Sequence, residues 1–283
     1  MFGFRKLTYE DYEDVYEMCK DIWEGTDYIP DVFNKWIGDE KGAFLGVISN
    51  GKVIGLGKYT ILHDQKGWIE GLRVHKDYRG QKLGKTITNK LLDMAKDDLK
   101  KGLITKIGTS THISNGASMK MFKDMGFILE QGFVTVIKKY KYLKNYDINI
   151  ENFDVKKWDL SYDEFKELPY FKKRNNVFHC DFIFIDMCED LYKDLNENNN
   201  LLIINGHKGI IRYKKEPNFV CIDESFEGID TFMNYCLTKY NKEYLTMTTV
   251  IEEDKNLIND LKNNKYRSWN NWENDYLYFL YNI

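Results

Sequence analysis

The residues best placed to do chemistry are Glu70-Gly-Leu-Arg-Val74 and, shortly after, Tyr78-Arg-Gly-Gln-Lys-Leu-Gly-Lys-Thr86. The first group reads as the end of a strand and the second as a turn opening a helix. A helix amino terminus presents unpaired backbone N–H groups and the positive end of the helix dipole, and glycines let those groups approach an anion closely. A diphosphate is the ligand such a turn suits. Arg79, Lys82 and Lys85 add positive charge, either to the phosphates or only to a solvated surface. Gly80-Gln-Lys-Leu-Gly-Lys-Thr86 approaches the nucleoside-triphosphate loop GxxxxGK[ST], but it has three residues between the glycines instead of four. The missing residue changes the curvature of the loop and counts against an NTPase.

These residues need a strand and a helix to hold them, and the flanking sequence supplies both. Trp68 to Val74 reads as the strand, while Leu83, Ile87, Leu91, Ala95 and Leu99 recur at helical spacing. Upstream, residues 2 to 7 form a short predicted strand, Thr8 with Asp11 marks a helix start, and Tyr12, Val15, Cys19 and Ile22 keep the period. A second helix begins near Pro30, a residue tolerated in a first turn, with Trp36 and Ile37 facing inward. Ala43 to Ile48 and Val53 to Leu62 are strands joined by Ser49-Asn50-Gly51-Lys52, a hairpin signal. Ile104 to Thr109 is a further strand, Ala117 to Met125 a helix stopped by Gly126, and Phe133 to Tyr140 a last strand. The expected fold is mixed α/β (α+β): a mainly antiparallel central sheet flanked by helices, occupying residues 1–143.

From 143 to 156 the chain turns polar and loses its periodicity, which marks a boundary, and residues 157–283 form a second expected domain. Its Leu201 to Ile204, Asn205-Gly206 and Gly209 to Tyr213 echo the first hairpin; Val220 to Asp223 and the helix near Asp230 to Leu237 echo the strand and long helix. Tyr244 to Val250, Lys255 to Asn264 and Tyr276 to Tyr281 match the last strand, helix and strand in order. This reads as an internal repeat, although any α+β domain with a hairpin aligns loosely in this way. Where the phosphate turn stood, the second half has Asp223-Glu-Ser-Phe-Glu-Gly228, whose acidic residues repel a diphosphate.

Composition narrows the function classes. The 44 acidic and 41 basic residues are spread along the chain for a net charge of -3, so there is no basic field to hold nucleic acid. Cys19, Cys180, Cys188, Cys221 and Cys236 are widely separated and lack CxxC spacing, which points to reduced thiols and to no metal site. Hydrophobic residues at 43% and aromatics at 15% place the chain with folded globular proteins. No run approaches a membrane span and the amino terminus has no long apolar region. The expectation is a soluble cytoplasmic protein, a monomer or homodimer, with neither nucleic acid nor membrane as partner.

Arg79, Gly80, Leu83 and Gly84, following a strand that contains Val74, resemble the coenzyme loop of the GNAT superfamily of N-acetyltransferases, with Lys82 where a middle glycine is usual. Asn115, Ala117, Ser118 and Met125-Gly-Phe127 resemble that family's later helix, and the resemblance covers residues 3 to 141. It implies an acyltransferase that uses acetyl-coenzyme A (acetyl-CoA) as cosubstrate. By the resemblance, the coenzyme is bound by Leu72, Arg73 and Val74, by the turn Arg79, Gly80, Gln81, Lys82, Leu83, Gly84 and Lys85, and by Asn115, Ser118 and Phe122. Asn115 would meet the pantetheine arm, and the N–H groups of Leu72 and Val74 the acetyl end. Glu24-Gly-Thr-Asp-Tyr-Ile-Pro30 together with Glu70 to Val74 resembles the histidine N-acetyltransferase branch, which has an extra carboxyl-terminal region. The implied acceptor is a small primary amine, for instance a free amino acid such as histidine, in a pocket including Tyr28 and Pro30.

Acetyl transfer needs a neutral amine, a polarised thioester and close approach of the two. The N–H of Val74 is the expected oxyanion donor. Glu70 is the expected base, directly or through a water, because strand alternation puts it on the face of Leu72 and Val74. A carboxylate that only binds the ammonium or pairs with Arg73 is the plainer reading. Many family members protonate the leaving thiolate with a tyrosine where this chain has Phe122; Tyr59 and Tyr140 are substitutes whose ordinary role is packing. Phe122 therefore keeps open a non-catalytic acetyl-CoA-binding sensor. His179, His207, Trp269, Trp272, Tyr276 and Tyr278 could line a pocket in the second half, though such residues usually belong to a core.

Overall fold

The computed structural model describes residues 2–139, 149–180, 182–213, 217–240 and 246–282. The chain first forms β1 (Gly3–Lys6), α1 (Tyr12–Cys19), α2 (Ile29–Ile37), β2 (Ala43–Ser49), β3 (Lys52–Ile61), β4 (Lys66–Val74), α3 (Leu83–Lys100), β5 (Lys106–His112), α4 (Gly116–Asp124) and β6 (Phe127–Lys139). It continues through β7 (Val155–Lys157), α5 (Tyr162–Lys166), α6 (Pro169–Lys172), β8 (Val177–Cys180), β9 (Ile183–Asp186), α7 (Glu189–Glu197) and β10 (Leu201–Ile204). Then follow β11 (His207–Tyr213), β12 (Pro217–Cys221), α8 (Phe226–Tyr240), β13 (Thr246–Ile251), α9 (Lys255–Asn263) and β14 (Tyr276–Tyr281). Two compact units emerge: Met1–Thr109 with Ala117–Ile128 and Phe279–Ile283, and Ser110–Gly116 with Leu129–Tyr278. They interleave along the chain; of the boundary expected at 143–156, residues 140–148 lie outside the described ones.

In the first unit the strands run β1-β2-β3-β4-β5, antiparallel except for the parallel β4/β5 pair. Thr8 and Asp11 form the anticipated capping box ahead of α1. Asn50 and Gly51, both at positive φ, make the hairpin turn between Ser49 and Lys52. One face of the sheet buries Val15, Met18, Ile29, Phe33, Trp36, Phe44 and Leu56 together. The other receives α3 through Leu83, Ile87, Leu91 and Ala95, all buried. Each such aliphatic side chain contributes about 1.5–3 kcal/mol, so this packing fixes where the α3 amino terminus points.

In the second unit the antiparallel order β7-β10-β11-β12 follows the pattern of β1-β2-β3-β4, with Asn205 and Gly206 again at positive φ in the turn. The core gathers Ile211, Phe219, Phe232, Met233, Cys236 and Leu261. His179 is a core residue: Tyr170 Oη lies 3.0 Å from its Nε2, Phe133 packs on it, and burial, then Arg174, pulls its pKa down to about 3. His207 sits beside Asp223 at 3.2 Å, Trp272 packs against the core, and Trp269 is half exposed. Among the described residues no helix is long and apolar enough to cross a membrane, and no cluster of three potential ligands could hold a metal.

Candidate active site

Between β4 and α3 the chain makes a short turn at Lys76–Tyr78, held by His75 Nδ1 accepting from Asp77 N–H at 3.3 Å. Arg79 then runs extended and donates from Nε to the Val74 carbonyl at 3.2 Å, Gly80 adopts φ +79°, and Lys82 adopts φ +62° as the residue before the helix. Lys82 thus takes the left-handed geometry that a glycine takes without cost. No side chain caps the helix at this end, and its first turn carries no acidic residue, so the leading N–H groups are left for a ligand. Val74, Tyr78, Arg79, Gly80, Lys82, Leu83 and Gly84 line a cavity of about 320 Å³. Arg79, Lys82 and Lys85 are exposed around it, while the Gln81 amide turns back to the Asp77 carbonyl at 3.4 Å. Uncapped amides, surplus positive charge and a cavity fit a diphosphate. Lys82→Gly is expected to stabilise the fold by about 0.5–1 kcal/mol, the left-handed strain less the added chain entropy. A lower denaturation midpoint in that variant would show that the lysine side chain itself braces the turn.

The strand below this turn is not regular. Opposite β3, Lys58 pairs with Glu70 and Leu56 with Arg73, so one residue of β3 faces two of β4, Gly71 and Leu72. This is a β-bulge, and only glycine suits it: Gly71 has φ +66°, and a Cβ there would stand 2.6 Å from the Trp36 ring. The bulge corrects one sequence expectation. Alternation placed Glu70 on the face of Leu72 and Val74, but the slip puts them on opposite faces. Leu72 and Val74 lie under Gly84 of α3, whereas Glu70 shares the other face with Lys58 and accepts a bond from Thr60 Oγ1 at 2.6 Å. The parallel register with β5 runs only from Lys66↔Lys106 to Ile69↔Thr109, leaving Glu70–Val74 outside it. His75 N–H donates to the Ile54 carbonyl at 2.9 Å, so alternation turns the Val74 N–H toward the opposite edge of the strand, away from β3.

Arg73, expected with the coenzyme, has its side chain on the other face. Its guanidinium binds both oxygens of buried Asp27, at 2.7 and 2.9 Å, and lies 4.7 Å from the Trp23 ring centre and 5.7 Å from that of Tyr28. Glu70 was a possible partner for this arginine; Asp27 holds it instead. Tyr28 precedes α2, stacks edge-on against Trp36 and is kept protonated by burial and by the Glu70 carboxylate. Pro30 occupies the first turn of α2, half-buried beside it. Burial, reinforced by Asp27, pushes the Cys19 thiol up to about 12, so it is inert there. Glu70, Arg73 and Tyr28 therefore share one side of β4, with Pro30 following Tyr28 into α2.

The remaining expected residues are distributed differently. Asn115 falls in the segment that belongs to the second unit, its N–H bonded to the His112 carbonyl at 2.9 Å; Ser118 lies half-buried on α4. Phe122 is 6% exposed and packs against Phe127 and Phe279, a core position. Tyr59 donates to Asp98 at 3.0 Å and is pushed up by burial and that carboxylate, so its proton is committed; Tyr140 lies outside the described residues. At the corresponding turn of the second unit, Ser225 Oγ accepts from Gly228 N–H at 3.0 Å and Glu227 sits in the first turn of α8. That helix end is capped by its own side chain and carries the wrong charge for a phosphate.

A β-bulged strand feeds an uncapped, basic helix start, and residues 6–127, which contain both, match the model of the Acetyltransferase (GNAT) family. Two curated relatives are histidine N-acetyltransferases. That of Oreochromis niloticus is 33% identical over 79 residues, 28% of this chain and 23% of the relative; that of Scomber australasicus is 24% identical over 134 residues, 47% and 39% respectively. The chain thus matches well under half the length of either. The fold extends over 99% of the chain in the GCN5-related N-acetyltransferase of Sphaerobacter thermophilus (TM-score 0.61, 10% identity, 95% of that chain). It does so too in the GCN5-related glucosamine N-acetyltransferase region of a fungal multi-domain GH3 beta-N-acetylglucosaminidase (TM-score 0.61, 14% identity, 38% of that chain). At these identities the two structures speak to fold alone.

Proposed function

We propose that the protein is an acetyl-CoA-dependent N-acetyltransferase that acetylates the primary amine of a small molecule. The observation that carries this reading is the uncapped α3 amino terminus behind Gly80 and Lys82, set next to the outward-facing edge of β4. The turn from Arg79 to Lys85 holds the diphosphate, and Ser118 takes the pantetheine arm. Val74 N–H polarises the thioester carbonyl. Glu70 removes a proton from the acceptor ammonium, directly or through a water, and the freed amine forms the C–N bond as the C–S bond breaks. The thiolate leaves as the anion and takes its proton from solvent, since a thiol of pKa about 8.5 is a tolerable leaving group near neutrality. Residues 157–283 form a degenerate domain of the same ancestry without the coenzyme turn.

A free amino acid is the acceptor class to test first, histidine foremost, because the curated relatives carry that name. Tyr28 and Pro30 line its pocket. Phe122, buried and without a proton to give, supports one other reading, a module that senses acetyl-CoA. A thiol-release assay over amino acids and polyamines separates them. Acceptor-dependent release is expected; tight coenzyme binding with no such release for any amine makes the protein a sensor.

A further inference from the structure

Lys58 is fully buried in the middle of β3, an expensive place for a charge, since moving an ammonium out of water costs several kcal/mol unless it is paired. A well-packed apolar pair of similar volume there would often stabilise the fold as well or better. The site is nevertheless shaped for the ammonium. Lys58 Nζ binds Asp39, from the turn after α2, and donates to the Tyr59 carbonyl at 2.8 Å. Asp39 is fixed in turn by the N–H groups of Lys41 at 3.1 Å and Gly42 at 3.3 Å. A Cβ on Gly42 would stand 2.6 Å from Lys58 Nζ and 2.7 Å from Asp39 Oδ2, so the backbone there leaves room for the pair and for nothing more. Directly across the β3–β4 ladder from Lys58 is Glu70.

We propose that Lys58 is a positioning residue of the transfer site: its buried ammonium, anchored by Asp39, keeps the Glu70 carboxylate ionised, with Thr60 fixing the carboxylate's orientation. The inference rests on Glu70 being the group that takes the acceptor's proton. The charged and titratable groups around Lys58 and Glu70 are Asp39 after α2, Lys6 from β1, Tyr28 before α2, and Arg73 of β4 with its partner Asp27. Burial pulls the Lys58 pKa below its usual value, while Asp39 and then Glu70 oppose that pull.

The test is the titration of the Glu70 carboxyl by 13C NMR, its signal identified by its loss in Glu70→Gln. In Lys58→Met the midpoint is expected to rise by about 1 unit or more, the effect of removing a neighbouring opposite charge. The double variant Lys58→Met/Asp39→Leu removes both charges, should regain the melting temperature lost by the single one, and should keep the raised midpoint. A midpoint unchanged in Lys58→Met, or one that returns with stability in the double variant, overturns the proposal and leaves the pair a packing device. Turnover of Glu70→Gln, measured beside these, tests the base assignment separately. Wild-type turnover there would remove the catalytic meaning even if the coupling between Lys58 and Glu70 is found.

Discussion

Gly84→Glu is expected to abolish acetyl-CoA binding, raising Kd by about 100-fold or more, equivalent to about 3 kcal/mol. A Cβ at this position meets Leu72 at 3.6 Å and Val74 at 3.7 Å, ordinary contact distances, so the first atom of a side chain fits. The rest of a glutamate grows into the cavity that Val74, Arg79 and Gly80 line, putting a carboxylate where the diphosphate belongs. The fold should hold, because an acidic residue near a helix amino terminus is favourable to the helix dipole. Gly84→Ala, which adds the atom without the charge, should bind within a few-fold of the parent. Calorimetry with acetyl-CoA decides the matter, and unchanged affinity in Gly84→Glu would remove the turn from the coenzyme site.

Glu70→Gln is expected to lower turnover by about 100-fold or more while leaving coenzyme affinity as it was, the range over which a positioned base acts. The amide keeps the shape and can still accept the Thr60 hydroxyl at its carbonyl oxygen, so a structural explanation for lost activity is weak. Because Glu70 lies on the face away from Gly84 and α3, its loss should not touch the phosphates. A variant with parent-like turnover would dismiss Glu70 as base. A rise in the acceptor KM at constant kcat would mean that it binds the ammonium without removing the proton.

Features that depend on neighbours in sequence were legible beforehand. The Asn50-Gly51 turn, the buried stripe from Leu83 to Ala95 and the glycine-containing turn that opens α3 each follow from residues a few positions apart. Lys82, which stands where the resembled family usually has a glycine, takes the left-handed backbone of one. Features that depend on distant packing were not. The slip at Gly71 lies against the Trp36 ring, and nothing in the alternation of β4 reveals that ring. Arg73 looked like a coenzyme ligand because its true partner, Asp27, lies 46 residues upstream. Lys58 carries no sequence signal of its own, because its partner Asp39 lies 19 residues away. In the second unit α5, α6, β8 and β9 span only four or five residues each, too short for a period to register.

The slip in β4 also bears on how such a protein can change its diet. Under the proposed function, one strand addresses two molecules from two directions: Leu72 and Val74 lie toward α3 and the acyl donor, while the side chains of Glu70 and Arg73 look the other way. Donor recognition on that reading runs through main chain, which substitution barely alters, and acceptor recognition through side chains, which it alters freely. New amines would then be adopted by exchanges around Trp23, Tyr28 and Thr60 while the grip on the thioester carrier stays intact.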